Sequence, residues 1–261
     1  MKRNSLILAG LLLVAGVTPA LAAQSATPST PPLSGYAAKA GGTIIDAPIP
    51  SSILNTPLFD QNGKAFTLQS LQGKTVILTD FMTTCSDICP MTSANMREMG
   101  DRIAKLGLSK SVVGLELSID AQRDTAPRLK AYQNLFGDSS WTLASGSDAN
   151  LKKIWAWFGV YTKVVKADAG ITDWQTGKPV TYDVDHDDVV IAIGPNLHWR
   201  WLDLGSPQVT HPTSATALPT TLRTFLTPSG KANLLKPEQP SWTTANVYSA
   251  LNEIFKLKIG A

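Results

Sequence analysis

The sequence predicts an α/β fold in which helices cover a mainly parallel sheet. Short apolar runs rich in β-branched residues alternate with longer segments whose apolar residues recur every three or four positions. Two further β-type runs follow this alternation, between residues 189 and 204. Strands that alternate with helices pair in parallel through helical crossovers, whereas two strands joined by a short turn pair antiparallel.

The first strand and helix lie between residues 75 and 106. Residues 75–82 form an apolar run typical of a strand that is buried on both faces. Residues 90–106 are predicted to be helical, because apolar side chains lie on one face of that helix and charged side chains on the other. The apolar face carries Met96, Met99, Ile103 and Leu106.

A second strand, a helix and a short strand follow. Residues 112–119 again have the composition of a buried strand. Residues 127–136 are predicted to form a helix that ends at Gly137, because glycine readily adopts the left-handed conformation that commonly follows a helix. Residues 141–144 predict a short third strand.

The remaining elements are another helix, a hairpin, a strand pair and a C-terminal helix. A helix is predicted to stop at Gly159, and residues 160–184 are predicted to form a long hairpin with its turn at 177–179. Residues 189–193 and 198–204 predict an antiparallel pair. The two helices are indicated by apolar stripes at Leu151, Ile154, Trp155 and Phe158, and at Val247, Leu251, Ile254 and Phe255.

Composition and charge exclude several classes of protein. The chain is 43% hydrophobic and 16% charged, which is typical of a globular chain and argues against long disorder. The formal net charge of +3 includes Lys2 and Arg3, and no block of like charge is visible. We therefore expect no nucleic-acid partner. With two cysteines, the chain is also not a disulfide-stapled scaffold.

The N-terminus predicts an export signal over residues 1–22. Lys2 and Arg3 precede an apolar run at residues 6–17, and Ala20-Leu21-Ala22 fits the small-x-small pattern of a cleavage site. The run is shorter than the roughly 20 apolar residues of a spanning helix, which favours a cleaved signal peptide over an uncleaved anchor in the inner membrane. We expect a periplasmic protein, in a compartment that permits disulfide chemistry.

Three further segments are predicted for the mature chain. Residues 23–50 are rich in Ala, Ser, Thr, Pro and Gly and predict a flexible N-terminal arm. Packed structure is expected to begin near Ile53, so the folded domain is assigned to residues 51–205. Residues 206–261 are assigned to a C-terminal extension that ends in the amphipathic helix.

The two cysteines lie where the first predicted strand passes into its helix. In Cys85-Ser86-Asp87-Ile88-Cys89-Pro90, Pro90 suits the first helical turn, which places Cys89 at the helix N-terminus. The helix dipole favours a thiolate there. A structural disulfide, a redox-active dithiol and a soft-metal site all fit this pair, and a disulfide closing so short a loop contributes little stability.

A third metal ligand is available in the acidic stretch around His186, one of three histidines. Two thiolates and one imidazole suit Cu(I), and less exclusively Cu(II) or zinc. A structural zinc site would normally use four protein ligands. The alternative for His186 is a surface turn residue, and we expect His198 and His211 to be structural or solvent-facing.

Three motifs together resemble the Sco/SenC copper chaperones. The CSDICP segment resembles the CxxxCP signature of that family, and the other two motifs follow it in the family's order between residues 50 and 205. They are Leu117-Ser118-Ile119-Asp120 followed by Arg123-Asp124-Thr125, and Val184-Asp185-His186, while Phe158-Gly159-Val160-Tyr161 also fits. Together these segments are specific, whereas one of them alone would be a weak signal.

The resemblance implies a thioredoxin-like fold with a β-hairpin insertion, here with a C-terminal helical extension. It implies that Cys85, Cys89 and His186 bind one copper ion per chain, as Cu(I) or Cu(II). It further implies delivery of copper to the dinuclear site in subunit II of cytochrome c oxidase or to another cuproprotein. We add Asp87 and Asp185 as carboxylates that could orient the ligands, and a periplasmic copper donor or thiol reductant as a further partner.

Copper delivery breaks no substrate bond, so we do not classify it as an enzymatic activity. Two other functions are possible for the same cysteines. In a thiol-disulfide oxidoreductase, Cys85 and Cys89 would be a redox-active pair that reduces the copper-site cysteines of the partner. A thiol peroxidase is disfavoured, because Met82 and Ser86 stand where such enzymes place a threonine. The sequence also departs from the family pattern: Ala121 stands where the family usually has proline, and Asp187 where serine is common. Because of these departures, the sequence does not identify the protein that receives the copper.

Overall fold

The computed structural model describes residues 36–38, 41–137, 140–213 and 217–260. The predicted signal peptide and the first part of the predicted arm lie outside these ranges. Within them, no helix is both long enough and apolar enough to cross a bilayer.

Between residues 75 and 204 the strands and helices follow the predicted order, while further elements lie before and after this region. The first part of the chain contains β1 (Tyr36–Ala37), β2 (Thr43–Pro48), α1 (Ser51–Leu54), β3 (Leu58–Asp60), β4 (Ala65–Phe66), a 3-10 turn (Leu68–Leu71), β5 (Thr75–Phe81), α2 (Cys89–Lys105), β6 (Val112–Ser118), α3 (Ala126–Leu135), β7 (Thr142–Ser145) and α4 (Asp148–Trp157). The second part contains β8 (Thr162–Lys166), β9 (Tyr182–His186), β10 (Val189–Ile193), β11 (His198–Leu204), β12 (Ser206–Pro207), α5 (Thr220–Phe225), α6 (Pro228–Leu235), β13 (Ser241–Trp242) and α7 (Thr244–Phe255).

One mixed sheet forms the centre of the molecule. Across the described part of the chain its order is β1-β2-β11-β10-β5-β6-β7-β3-β4. Strands β5, β6 and β7 are parallel, as the alternation of strands and helices predicts. Strand β10 is antiparallel to both β5 and β11. The predicted α/β class with a mainly parallel centre is therefore confirmed.

Apolar side chains cover the sheet on both faces. Ile77 and Phe81 of β5 belong to a cluster that also contains side chains of α2, α3 and α7. Val76 and Leu78 of the same strand belong to a second cluster with α1 and α4. Successive residues of a strand point to opposite faces, so the continuous apolar run of β5 fits a strand between two helical layers.

The topology of the centre is thioredoxin-like. A parallel β5-α2-β6 unit is joined to an antiparallel β10-β11 pair that is followed by α7, and α7 packs beside α2. The β8-β9 hairpin is inserted between these two units and pairs Thr162 with His186. The thioredoxin-like fold and its inserted hairpin are both confirmed. The hairpin differs in detail from the prediction: its second strand extends to His186, and its two strands are joined by residues 167–181 instead of a turn at 177–179.

Packed structure begins earlier than the sequence predicts. Strand β2 lies in the segment assigned to the flexible arm, but it pairs with β11 and places Ile45 and Ala47 in the core. The residues around Thr43–Pro48 are mostly small and polar, so the composition of this segment did not predict a strand. Helix α7 likewise belongs to the central layers rather than to an appendage, since Val247 and Leu251 are fully buried.

Candidate metal centre

The two cysteines lie at the carboxyl end of β5, at the start of α2. Both are free thiols, and the side chains are buried, with Cys85 7% and Cys89 1% exposed. Cys89 is the first residue of α2, and its backbone N–H donates to the Cys85 sulfur over 3.3 Å. The sulfur of Cys85 therefore lies on the N-terminal turn of the helix, closer to the surface than that of Cys89.

Strand pairing brings His186 to the cysteines, although 97 residues separate it from Cys89. Strand β10 runs antiparallel to β5 and pairs Val190 with Thr79. The start of β10 and the end of β5 therefore meet at one edge of the sheet, and β9 ends just before that start. The Nε2 atom of His186 lies 4.0 Å from the Cys89 sulfur.

The Asp80 carboxylate and the Asp187 carbonyl, whose oxygen lies 3.1 Å from Nδ1, together orient the imidazole of His186. The Oδ2 atom of Asp80 lies 2.6 Å from His186 Nδ1, and its Oδ1 accepts the backbone N–H of Val189 over 3.0 Å. Asp188 is farther, with Oδ1 at 3.8 Å from Nδ1. A carboxylate on Nδ1 leaves Nε2 as the atom that faces the sulfurs, an arrangement common among histidines that bind metals.

Sequence reasoning missed Asp80, although a signal was present. Asp80 is an ionisable residue inside the otherwise apolar strand β5, and it is only 3% exposed. Buried carboxylates need a partner, and the nearest in the fold is His186. The sequence alone did not show which strand would pair with β5, so it did not connect the two residues.

Asp87 and Asp185 do not take the role that the sequence suggested. Both line the cavity at the cysteines, but the contact to His186 is made by Asp80. The carboxylate of Asp87 turns away to accept hydrogen bonds from α6. Asp185 precedes His186 on β9 and is exposed, because neighbouring residues of a strand point to opposite sides.

The two thiols have opposite pKa shifts. The pKa of Cys85 is lowered because the Cys89 thiol donates a hydrogen bond to its sulfur. The positive charge of His186 lowers it as well, and together these effects exceed the opposing effect of burial. Burial raises the pKa of Cys89 well above its usual value, and the negative Cys85 sulfur raises it further. These shifts favour the thiolate at Cys85, to which the Cys89 thiol donates, and not at Cys89, where the position at the helix N-terminus predicts it.

The imidazole and a nearby carboxylate are also shifted. Burial disfavours the charged imidazole and would lower the pKa of His186. The Asp80 carboxylate has the larger effect and raises this pKa to about 10. Burial, together with the charge of Asp80, raises the pKa of Asp188 to about 7. Near neutral pH His186 is protonated, so a cation that binds Nε2 displaces a proton.

The second sequence motif ties the cysteine loop to the hairpin. Asp124 is fully buried and accepts hydrogen bonds from Thr83 Oγ1 at 2.5 Å and Ser118 Oγ at 2.6 Å. Arg123 pairs with Asp120 and donates to the carbonyl of Tyr182 over 2.7 Å. The motif thus connects the loop before Cys85 to β9, the strand that carries His186.

Further contacts hold the β8-β9 hairpin in place. Arg128 donates to Thr83 Oγ1 over 2.5 Å and pairs with Asp173 of the hairpin at 2.6 Å. Trp174 donates from its indole to the carbonyl of Thr83 over 2.7 Å. The segment between the two hairpin strands therefore anchors on the same loop that leads to Cys85.

A cavity of about 310 Å³ opens over Cys85 and His186. Its other walls come from the cysteine loop, the hairpin and Asp188. Cys89 lies beneath it. The remaining histidines lie elsewhere: His198 pairs with Asp46 at 2.6 Å at the opposite end of β10 and β11, and His211 precedes α5 with φ 54°.

Loss of the Asp80 carboxylate is predicted to weaken metal binding without removing a ligand. Asp80→Asn should lower copper affinity about 10- to 100-fold, the usual cost of losing a hydrogen-bonding partner of a metal-bound histidine. Asp46→Asn is the matched control, because Asp46 makes the same contact with His198. Anaerobic competition for Cu(I) with a chelator measures both affinities, and equal values for the two variants would contradict the prediction.

Comparison with known proteins agrees with the motifs. The sequence model of the SCO1/SenC family matches residues 56–213, which is more than half of the chain. An SCO2-like protein of Rickettsia conorii is 30% identical over 111 residues, which are 42% of this chain. That match spans 53% of the relative, so the chain covers about half of its length.

Two further comparisons give similar identities. An SCO2-like protein of Rickettsia prowazekii is 28% identical over 156 residues, covering 58% of this chain and 70% of the relative. Arabidopsis thaliana ScoI, in a crystal structure with copper bound, is 26% identical with a TM-score of 0.48, over 57% of this chain and 84% of that one. By the match over residues 56–213, the chain belongs to the SCO1/SenC family.

Proposed function

We propose that this protein binds one copper ion through Cys85, Cys89 and His186 and passes it to a cuproprotein. The observation that carries the proposal is the approach of His186 Nε2 to the Cys89 sulfur, with the ring held from behind by Asp80. The donor chemistry suits the cargo, because two sulfurs and one imidazole nitrogen form a soft set that favours Cu(I) and also accepts Cu(II).

The chain's own groups prepare the site for a cation. Cys85 supplies the more readily ionised thiol, and Cys89 lies below it with a raised pKa. Binding therefore displaces protons from Cys89 and from His186, so affinity should increase as pH rises. A thiolate of the partner can then replace one ligand through the cavity over Cys85, and the copper moves by ligand exchange.

The proposed client is subunit II of cytochrome c oxidase, or another cuproprotein with a dinuclear copper site. This part of the proposal follows from family membership and from the signal predicted at residues 1–22, which would direct the protein to the periplasm. A periplasmic copper donor or a thiol reductant would complete the cycle, because an oxidised cysteine pair cannot hold the ion.

Anaerobic titration of the reduced protein with Cu(I) tests the proposal. We expect saturation at one copper per chain, and X-ray absorption spectra that fit two sulfur ligands and one nitrogen ligand. Saturation at one ion with sulfur ligands alone would exclude His186. Failure to bind copper in competition with a weak chelator would overturn the chaperone function.

Thiol-disulfide exchange is a second candidate, favoured by the asymmetry of the cysteine pair. The more accessible thiol, Cys85, has the lowered pKa, and Cys89 beneath it is placed to resolve a mixed disulfide. Such an activity would not need the imidazole as a ligand. Reduction of a model disulfide by the His186→Ala protein at the wild-type rate, together with loss of copper binding, would separate the two functions.

A further inference from the structure

A helix beyond the family-matched region rests on the loop between the two cysteines. The SCO1/SenC match ends at residue 213, whereas α6 spans Pro228–Leu235. Thr227, which caps this helix, donates to the carbonyl of Ser86 from its backbone N–H over 2.9 Å and from its hydroxyl over 3.3 Å. The contact joins the C-terminal extension directly to the candidate site.

The same helix also holds the side chain of Asp87. Ser229 Oγ donates to Asp87 Oδ2 over 2.6 Å, and Asn233 Nδ2 donates to Asp87 Oδ1 over 2.8 Å. Both carboxylate oxygens of Asp87 therefore accept hydrogen bonds from α6. Ser229 is exposed, whereas Asn233 is 8% exposed.

The backbones of α6 and the loop are in close contact at Gly230. A Cβ atom at this position would lie 2.6 Å from the Ser86 carbonyl oxygen and 3.0 Å from the Asp87 Cα. Both are backbone atoms, so a side chain of any size at position 230 would force the helix and the loop apart. The close approach shows that α6 covers the loop directly, without intervening side chains.

The hydrogen bonds of Thr227 determine where the Asp87 N–H points. The Ser86 carbonyl and the Asp87 N–H belong to one planar trans peptide group, so they point in opposite directions. With the carbonyl held by Thr227, the Asp87 N–H points away from α6. Cys85 accepts a hydrogen bond from the first residue of α2, and the peptide group between Ser86 and Asp87 in the same loop is held by the extension.

We propose that residues 227–235 form a clamp that holds the cysteine loop in its metal-binding conformation, with Thr227, Ser229 and Asn233 as positioning residues. The copper part of this inference rests on the proposed function, but the effect on the thiol pair does not. A loop fixed with both thiols free needs less reorganisation to receive an ion. It also stabilises the dithiol relative to the disulfide.

Two variants loosen the clamp in different ways. Gly230→Ala wedges the helix away from the loop, while Ser229→Ala combined with Asn233→Ala removes both donors to Asp87. Lys231→Ala is the matched control, because Lys231 is an exposed residue of the same helix. Each reduced protein is titrated with Cu(I) against a chelator, and each is equilibrated with glutathione to measure its dithiol–disulfide equilibrium.

We expect both loosened variants to bind Cu(I) about tenfold more weakly, and their equilibrium to shift about tenfold toward the disulfide, or about 30 mV. Lys231→Ala should stay within twofold of the wild type in both measurements. Wild-type values for the double variant would overturn the clamp, even if Gly230→Ala failed to fold. If the wild-type protein bound no copper, the proposed function would be refuted. The dithiol–disulfide equilibria of the variants would still test the clamp.

Discussion

Replacing His186 with alanine is expected to lower the affinity for Cu(I) by roughly 100-fold or more. The loss of a ligand should exceed the 10- to 100-fold cost of losing a hydrogen-bonding partner of a ligand. Cys85→Ser and Cys89→Ser should have effects at least as large, because an alcohol is a poor ligand for a soft cation. Competition titration of the reduced proteins under anaerobic conditions measures all three affinities.

The control for the histidine is His198→Ala. His198 also pairs with an aspartate, but it lies at the far end of the sheet. We expect it to retain wild-type affinity. Full copper binding by the His186→Ala protein would contradict the three-ligand site and leave a dithiol as the working centre.

Glu116 is expected to make the folded protein less stable as pH rises from about 5 to 8. This residue of β6 is fully buried, and burial raises its pKa to about 8 from an ordinary value of 4.5. Between those two pKa values the folded state binds more protons than the unfolded state, so the free energy of unfolding decreases with pH. At 1.36 kcal/mol per pH unit, the loss is on the order of 4 kcal/mol.

Glu116→Gln should remove this part of the pH dependence. The amide can still accept the indole N–H of Trp141, which contacts the carboxylate at 2.5 Å, and can donate to Ser93 Oγ, which lies 2.8 Å from the other oxygen. Urea unfolding of the metal-free protein at pH 5, 7 and 9 measures the effect, with the exposed Glu238→Gln as control. Parallel pH profiles for wild type and Glu116→Gln would refute the assignment.

Much of the fold follows from local patterns. The run at residues 75–82 predicted a buried strand, and its alternate residues do face two helical layers as β5. The position of Pro90 and the apolar stripe after it predicted α2 to within two residues. These predictions succeed because the side chains on the buried face of a strand or helix recur with the period of that element, and this period is visible in the local sequence.

Other features have no local signature. Strand β2 lies in a stretch of small and polar residues, and its partner β11 is more than 150 residues away. Asp87 looked like a neighbour of the metal because it lies between the cysteines, yet its carboxylate faces α6. Contacts of this kind depend on which distant segments meet, and a single sequence does not record that.

The sequence alone determined the α/β class and the thiol pair at a strand-to-helix junction. It also identified His186 as the candidate third metal ligand. Only the tertiary structure decided that Asp80 orients the imidazole, that Cys85 carries the lowered pKa, and that the C-terminal extension holds the cysteine loop. The reason is that residue types reveal which chemistry is available, whereas direction and pKa depend on burial and on hydrogen bonds between segments far apart in the chain.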